Sequence, residues 1–267
     1  MGFYSLETLK EDARRHSMPV LSPDVNKSQA VCVIENNSIR LGFLNVIGLG
    51  SAAVKEIESG RTKLGIFASI GQFLESTGVL EEVADNLADA GAFDSLEPNR
   101  RNVKWEIGLR YRPINSQLSL PLPVQQDMAE LQNSSDWERM QGEYNVLSLY
   151  PAGHIMSKLR PQFQEKLCCS KDIDQLKDGA EVTTAGLVIR RQRPRGKVVF
   201  ITLEDEFGHI PLLVFPQVYE RHENKFKSPF LIIKGTMTRR EGTCNVVVNE
   251  VQPFNAMDKT LQSKDWR

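Results

Sequence analysis

Two glycines and the residues around them form the segment of this chain best suited to holding a phosphate. Gly48 and Gly50 stand in the run VIGLGSAA over residues 46–53, and a helical pattern begins at Ser51. Unpaired backbone N–H groups and the helix dipole attract anions to such a helix start. We therefore predict a helix-hairpin-helix that binds DNA through Gly48, Gly50 and Ser51. The alternative is a glycine-rich turn that binds nothing.

Two basic clusters, far apart in the sequence, carry the second chemical signal. The first lies between two predicted strands, has no acidic residue over 190–197, and consists of Arg190, Arg191, Arg193, Arg195 and Lys197. The second lies between two later predicted strands and consists of Arg239 and Arg240. On one rim of a small barrel, both clusters would meet at a groove for the phosphates of an oligonucleotide. The alternative is a solvated, charged rim.

Two phenylalanines accompany these clusters. Phe200 and Phe215 belong to the strands that would form the groove. Aromatic rings at such positions can stack on nucleic-acid bases. For each ring taken singly we favour a place in the core, so we expect both to be buried.

A short peptide provides the third signal. Residues 117–122 read QLSLPL, inside a stretch rich in Gln, Pro, Ser and Leu. Leu118, Leu120 and Leu122 would fill a preformed apolar pocket, and Gln117 would add a directional hydrogen bond. The pattern predicts a docking peptide within an exposed linker. The alternative is a proline-rich linker with incidental leucines.

The chain lacks the short motifs that mark common catalytic sites. It has no Walker loop, no GxSxG and no HExxH, and its four histidines are scattered. The four cysteines include no CxxC pair, so we expect reduced thiols and no zinc. The acidic run at 204–206 falls at a strand end, where we expect a solvated turn rather than a metal site. We predict no catalytic residue, no metal and no cofactor in this chain.

Length and composition describe an ordinary globular protein. The 267 residues are 40% hydrophobic and 25% charged, with a formal net charge of -1. This balance excludes a polycation, an acidic disordered tail and a collagen-like fibre, so nucleic-acid binding must rely on local clusters. The sequence contains no long apolar run and no signal peptide, which predicts a cytoplasmic protein without a membrane partner.

Hydrophobic periodicity divides the chain into a helical half and a strand-rich half. A hairpin is predicted within 30–44, and helical patterns span 6–16, 51–58, 66–75, 80–90 and 136–158. Strands are predicted at 181–191, 198–204, 209–215, 230–237 and 244–251. A helix at 216–224 separates the third strand from the fourth, which is the element order of an OB-fold. The predicted fold class is α+β and multidomain: a mostly helical N-terminal half with a helix-hairpin-helix, then a five-stranded OB-fold barrel.

The order of several short motifs resembles one protein family. The series is GFY at 2–4, DARRH at 12–16, PDVN at 23–26, RLG at 40–42, LADAGAF at 87–93, EYNVL at 143–147 and VFITLED at 199–205. It resembles the C-terminal part of a bacterial C-family DNA polymerase, the DNA polymerase III alpha subunit, and most closely the error-prone (translesion) branch. One departure is Ile155, because the family usually has Pro after the histidine that matches His154.

The resemblance assigns a role to each segment. It implies the end of the fingers at 1–45, the helix-hairpin-helix at 46–99, a basic helix and linker at 100–135, a helical connector at 136–174, the OB domain at 175–254 and a polar, frayed tail at 255–267. In that family the helix-hairpin-helix holds duplex DNA and the OB domain lies near single-stranded template. The peptide with Gln117, Leu118, Leu120 and Leu122 looks like the family's sliding-clamp-binding motif.

The resemblance also sets an expectation about catalysis. The family's palm, with its metal-binding aspartates, would lie before Met1, so we expect no polymerisation by this chain alone. The first hypothesis is a DNA-binding and clamp-tethering portion of an error-prone polymerase, active in DNA replication and translesion repair. The alternative is a non-catalytic protein-interaction module that assembles with a separately encoded chain carrying the palm.

Overall fold

The structure is a computed structural model that describes residues 5–111, 131–194, 198–240 and 242–254, and the backbone of 264–266. It divides into two compact units: Asp12–Ala152 forms one, and Met1–Glu11 with Gly153–Arg267 forms the other. The predicted fold class, a mostly helical N-terminal half followed by a five-stranded OB-fold barrel, is confirmed. The six-segment division is finer than these two units and stays a prediction.

Helices and one small sheet build the N-terminal part. In chain order the elements are α1 (Leu6–Arg15), β1 (Val20–Leu21), β2 (Val33–Glu35), β3 (Ser38–Arg40), α2 (Ser51–Leu64), α3 (Ile70–Ser76), α4 (Glu81–Asp89), α5 (Arg100–Arg110) and α6 (Asp136–Leu147). The predicted hairpin is β2–β3, turned by Asn36 and Asn37 with φ of 46° and 59°. Asparagine tolerates this left-handed conformation, which the two-residue hairpin turn requires.

Edge-to-face aromatic contacts lie at the centre of this unit. The ring of Phe73 contacts Phe67 and Phe93 at centroid distances of 5.1 and 5.0 Å, and all three are fully buried. Gly91, with φ of 80°, follows the end of α4, as its position after a helical pattern predicted. These contacts pack α3 and α4 against the rest of the helical unit.

The second unit carries the barrel. Its elements are α7 (Ile155–Leu159), α8 (Ser170–Ile173), β4 (Glu181–Gln192), β5 (Val199–Glu204), β6 (His209–Val214), α9 (Pro216–His222), β7 (Phe230–Arg240), β8 (Thr243–Pro253) and β9 (Lys264–Trp266). The five strands β4 to β8 and the helix α9 match the predicted order. Only their ends differ, chiefly because β7 and β8 continue further into their connecting turn.

The strands close on one another in the order β4, β5, β6, β8, β7 and back to β4. The β6–β8 pairing is parallel, and the other pairs around the ring are antiparallel. Residues alternate between inside and outside: Val199, Ile201 and Leu203 of β5 are buried, whereas Phe200 faces outward. The expectation of a frayed tail is wrong for 264–266, because β9 adds to β4 in parallel.

Candidate nucleic-acid interface

The glycine pair lies in the turn that leads into α2. Gly48 has φ of 84°, a conformation that side chains rarely adopt. Buried Leu49 anchors the turn. The backbone nitrogen of Ile47 donates to the carbonyl of Val146 at 2.8 Å, and Asn86 Nδ2 donates to the carbonyl of Ile47 at 3.0 Å. The turn is therefore held from the inside, with the second glycine left on the surface.

The start of α2 is open. Gly50 is the N-cap residue, is exposed, and supplies no side-chain hydrogen bond to the helix. A Cβ built at Gly50 would meet no atom within 4 Å. Ser51 is exposed and the first turn contains no acidic residue. The structure thus brings Gly48, Gly50 and Ser51 together at a helix start that an anion can approach.

A second helical hairpin, formed by α3 and α4, has the opposite electrostatic character. Gly78 lies in its turn, and Leu80 precedes α4. The first turn of α4 carries Glu81 and Glu82, both exposed. Two carboxylates at this helix start favour the helix dipole but oppose a phosphate. The two helix starts therefore provide a natural comparison for DNA binding.

The basic side chains of α5 are held by carboxylates of the same unit. Arg100 is buried and donates to Asp94 at 2.8 Å and to Glu143 at 2.7 Å. The other pairs are Arg101 with Glu138, Lys104 with Asp89 and Arg110 with Glu106. The positive charge of this helix is therefore largely neutralised within the unit, which leaves little of it for phosphates.

The outer surface of β4, β5 and β6 assembles a groove of mixed character. In the strand registers, Gln192 lies opposite Phe200, and Phe200 lies opposite Leu213. Arg190 lies opposite Thr202 by the same register. Paired residues share one face of a sheet, so these side chains point outward together. We call this surface, made of Arg190, Gln192, Phe200, Thr202 and Leu213, the β5 face.

The expectation that Phe200 and Phe215 are buried is wrong. Their side chains are 42% and 47% exposed. Strand alternation is the reason, because the neighbouring Val199, Ile201 and Val214 take the inward positions. Two exposed aromatic rings on or next to the β5 face are available for stacking.

Two of the predicted arginines tie loops of the barrel together. Arg191 donates to the carbonyls of Phe226 and Ser228 at 2.8 and 2.7 Å. Arg239 donates to the carbonyl of Asp174 at 2.8 Å. Each guanidinium thus uses donors on backbone oxygens, which gives these residues a structural role that their sequence position did not indicate.

Three other predicted arginines remain on the surface. Arg190, Arg193 and Arg240 are exposed. The guanidinium of Arg193 lies 5.2 Å from the ring centroid of Tyr219 on α9, a cation–π distance. Sequence reasoning missed Tyr219 because no local pattern connects it with Arg193. Arg195 and Lys197 lie outside the described residues, so their DNA-binding role stays a prediction.

The acidic run at 204–206 is not the solvated turn that we expected. Glu204 and Asp205 are fully buried. Asp205 accepts hydrogen bonds from the backbone nitrogens of Phe207 and Gly208, at 2.9 and 3.0 Å. Arg160 pairs with Glu206 at 2.5 Å. The run anchors the β5–β6 turn, because its oxygens satisfy donors that burial would otherwise leave without partners.

Several predictions concern other parts of the chain. The peptide with Gln117, Leu118, Leu120 and Leu122 lies outside the described residues. Within the described residues, His, Cys, Asp and Glu form no group of three or more placed to hold a metal ion. No helix in the described part of the chain has the length and apolar character needed to span a membrane. All four cysteines are free thiols.

Family models match both units. A helix-hairpin-helix motif matches residues 17–103, and an OB-fold nucleic acid binding domain matches residues 182–254. The first match includes the open start of α2, and the second includes the whole β5 face. The similarities therefore coincide with the two candidate surfaces.

Sequence relatives extend the match to nearly the entire chain. The error-prone DNA polymerase of Anaeromyxobacter dehalogenans is 32% identical over 95% of this chain. That of Pseudomonas fluorescens is 31% identical over 100% of it. The chain is homologous to the error-prone DNA polymerases. It spans about a quarter of the length of these polymerases, 24% and 28% respectively.

A solved structure aligns with a smaller part. The asparaginyl-tRNA synthetase from Pyrococcus horikoshii, complexed with asparaginyl-adenylate, is 25% identical over 36% of this chain and 23% of its own. The TM-score of 0.31 is too low to carry an argument about function. The polymerase relatives, which match both halves of the chain, are the informative ones.

Proposed function

We propose that this chain is the DNA-binding and clamp-tethering portion of an error-prone DNA polymerase. The homologous polymerases and the two nucleic-acid-binding domains support this proposal. In it, the chain positions DNA and raises the local concentration of the polymerase on its template, and the chemistry of nucleotide transfer takes place elsewhere in the enzyme. Its place in the cell is replication across damaged template.

The composition of the β5 face carries the proposal. An exposed aromatic ring, Phe200, lies among polar residues and close to a basic one, Arg190. Bases stack on such rings and phosphates pair with such guanidinium groups, so a single strand can satisfy both at once. We assign single-stranded template to this face, with Arg193 and Arg240 as further phosphate contacts on its rim.

The open helix start supports a second contact, to duplex DNA. The backbone N–H groups at Gly50 and Ser51 would receive one phosphate without reading any base. Gly48 allows the tight turn that presents them. Such contact is independent of sequence, which suits an enzyme that must accept any template.

The peptide with Gln117, Leu118 and Leu120 would tether the chain to a sliding clamp. The QLSLPL run is its support in the sequence. A tether turns rebinding into an intramolecular event, so it increases processivity without new contacts to DNA. This part of the proposal is separable from DNA binding, because the peptide and the β5 face are different segments.

The salt dependence of DNA binding tests the proposal. Fluorescence anisotropy is measured with a primer–template that carries a single-stranded overhang, across a salt series. The triple variant Arg190→Ala, Arg193→Ala, Arg240→Ala is compared with Lys166→Ala, Lys171→Ala, Lys177→Ala, which removes three exposed charges of the same unit. We expect the first to lose affinity and salt slope, by roughly 0.9 per lost phosphate contact.

The result also decides against the alternative function. If the chain binds DNA and only the arginine variant weakens it, the barrel is a DNA-binding domain. If the parent chain does not bind DNA even at low salt, the DNA-binding proposal is wrong, and a protein-interaction module becomes the better account.

A further inference from the structure

A cavity of about 620 Å³ lies over β7 and β8, on the outside of the barrel. Its lining includes Arg221 and His222 from α9, Lys225 from the following turn, and Lys234 and Glu250 from the two strands. Arg221, Lys225 and Lys234 outnumber the one carboxylate, so the lining is net positive. We call this cavity the β7–β8 groove.

The groove lies on the side of the barrel away from the β5 face. In the closed ring β5 has β4 and β6 as neighbours, which leaves the β7–β8 pair opposite to it. Outward side chains of β5 and of the β7–β8 pair therefore point in opposite directions. A straight nucleic-acid strand bound to one surface cannot contact the other, so the groove is a separate surface.

A β-bulge shapes the floor of the groove. The β7–β8 register shifts between Lys234 and Gly235, which makes Asn249 an extra residue of β8. Asn249 donates to Thr236 Oγ1 at 3.3 Å. At Gly235 a Cβ would lie 2.3 Å from the carbonyl oxygen of Val247, so the close approach of the strands requires glycine. Bulges of this kind redirect side chains and are frequent next to functional sites.

The cations of the groove are accessible. Arg221 and Lys225 are exposed, and no carboxylate of the described residues lies within ion-pairing distance of Arg221. Lys234 lies opposite Glu250 in the register and 3.9 Å from Glu165, and it remains half exposed. Arg221 and Lys225 are therefore the principal anion donors, with Lys234 in support.

We propose that the β7–β8 groove is a second DNA contact, which takes backbone phosphates of a duplex through Arg221, Lys225 and Lys234. The residues that line it include no Phe, Tyr or Trp. Single-strand sites use aromatic platforms, whereas a duplex keeps its bases inside and presents phosphates. The inference shares one premise with the proposed function, that the chain binds DNA, and it uses none of the same residues.

Duplex and single-stranded probes test the groove separately. Anisotropy is measured for a labelled blunt duplex and a labelled single strand, with Arg221→Ala, Lys225→Ala, Lys234→Ala in one variant. We expect about a tenfold loss of duplex affinity and a salt slope reduced by roughly two to three, with little change for the single strand. The charge-matched control is Lys166→Ala, Lys171→Ala, Lys177→Ala, which should bind as the parent does.

A charge-preserving variant separates charge from fold. Arg221→Lys, Lys225→Arg, Lys234→Arg should keep duplex affinity within a few-fold of the parent, because phosphate contact needs positive charge in the groove. Circular dichroism establishes that every variant keeps its secondary structure. Loss of duplex binding in the alanine variant with retention here supports the proposal.

The outcomes distinguish this inference from the proposed function. If the groove variant and its control bind the duplex equally, the groove is not a DNA contact, although Phe200→Ala can still weaken single-strand binding. If a labelled polyglutamate peptide binds the parent but not the groove variant, while duplex binding is unchanged, the groove is a site for acidic peptides and the inference is wrong. If the parent binds neither DNA probe, both proposals are wrong.

Discussion

Asp205 accepts two hydrogen bonds from Ser170, from the backbone nitrogen at 2.7 Å and from the hydroxyl at 2.6 Å. The carboxylate thereby joins the β5–β6 turn to the first residue of α8. It also lies 3.3 Å from Arg160. A buried carboxylate with this many donors fixes the end of the strand that carries Phe200.

The first prediction concerns this anchor. Asp205→Ala should lower the free energy of unfolding of the barrel by roughly 3 kcal/mol, because buried donors lose their acceptor and Arg160 loses part of its charge compensation. Urea denaturation followed by far-UV circular dichroism measures the change. Glu223→Ala removes an exposed carboxylate of the same unit and should cost under about 0.5 kcal/mol. Equal stability of the two variants would refute the anchoring role.

The second prediction concerns pH. Burial raises the pKa of Glu143, and the nearby Arg100 guanidinium opposes this only in part. Its Oε2 atom is buried with no hydrogen-bond partner among the described residues. The folded carboxyl takes up a proton at higher pH than the unfolded one, so acidification through the folded pKa should stabilise the parent relative to Glu143→Gln.

Tryptophan fluorescence in urea can follow this effect, because Trp105 and Trp137 belong to the same unit as Glu143. The measurement compares the parent with Glu143→Gln at a series of pH values from neutral down to the usual glutamate pKa of 4.5. A stability difference that stays flat, or that moves against the parent, contradicts the raised pKa.

The third prediction separates stability from DNA binding at the start of α2. Gly50→Asp places a carboxylate at an N-cap that has open space for it. The helix should be as stable as before or more so, because Asp is a good N-cap residue. Duplex affinity should fall about tenfold, since the carboxylate repels the phosphate that this site would hold.

Leu80→Asp is the matched control for that experiment. Leu80 is the N-cap residue of α4, where Glu81 and Glu82 already oppose a phosphate. Anisotropy with a labelled duplex should therefore show no change for this variant. If both variants weaken binding equally, the effect is one of general charge and the site at Gly50 is not supported.

The fourth prediction concerns the clamp. Gln117→Ala, Leu118→Ala, Leu120→Ala should reduce retention by an immobilised sliding clamp at least tenfold, because anchor residues dominate the affinity of a docked peptide. DNA affinity should not change. Ser119→Ala, inside the same peptide, is the control. Retention that survives the triple substitution removes the tethering function.

The order of the elements was predictable because hydrophobic periodicity and turn residues are local signals. The strands β4 to β8 and helix α9 appear where alternation placed them, and Asn36 with Asn37 turns the hairpin as asparagine allows. The resemblance to a polymerase family rested on several motifs in order, and the relatives confirm it.

The errors arose where long-range contacts decide. The run at 204–206 reads as a solvated turn until Ser170 and Arg160 supply its partners. Arg191 reads as a surface arginine, but its donors reach carbonyls at Phe226 and beyond. Strand β9 follows a polar tail whose pairing with β4 has no local signal. Each of these contacts joins segments that are distant in the sequence.

The most direct measurement places a fluorescent reporter on the β5 face. Phe200→Trp is compared with Phe207→Trp, because both rings are exposed, at 42% and 52%, and flank β5 at its two ends. A single-stranded oligonucleotide is titrated into each, and the fluorescence of the parent chain is subtracted. We predict saturable quenching at position 200, where bases stack, and none at position 207. Equal quenching at both positions, or none at 200 while DNA still binds, would contradict the account.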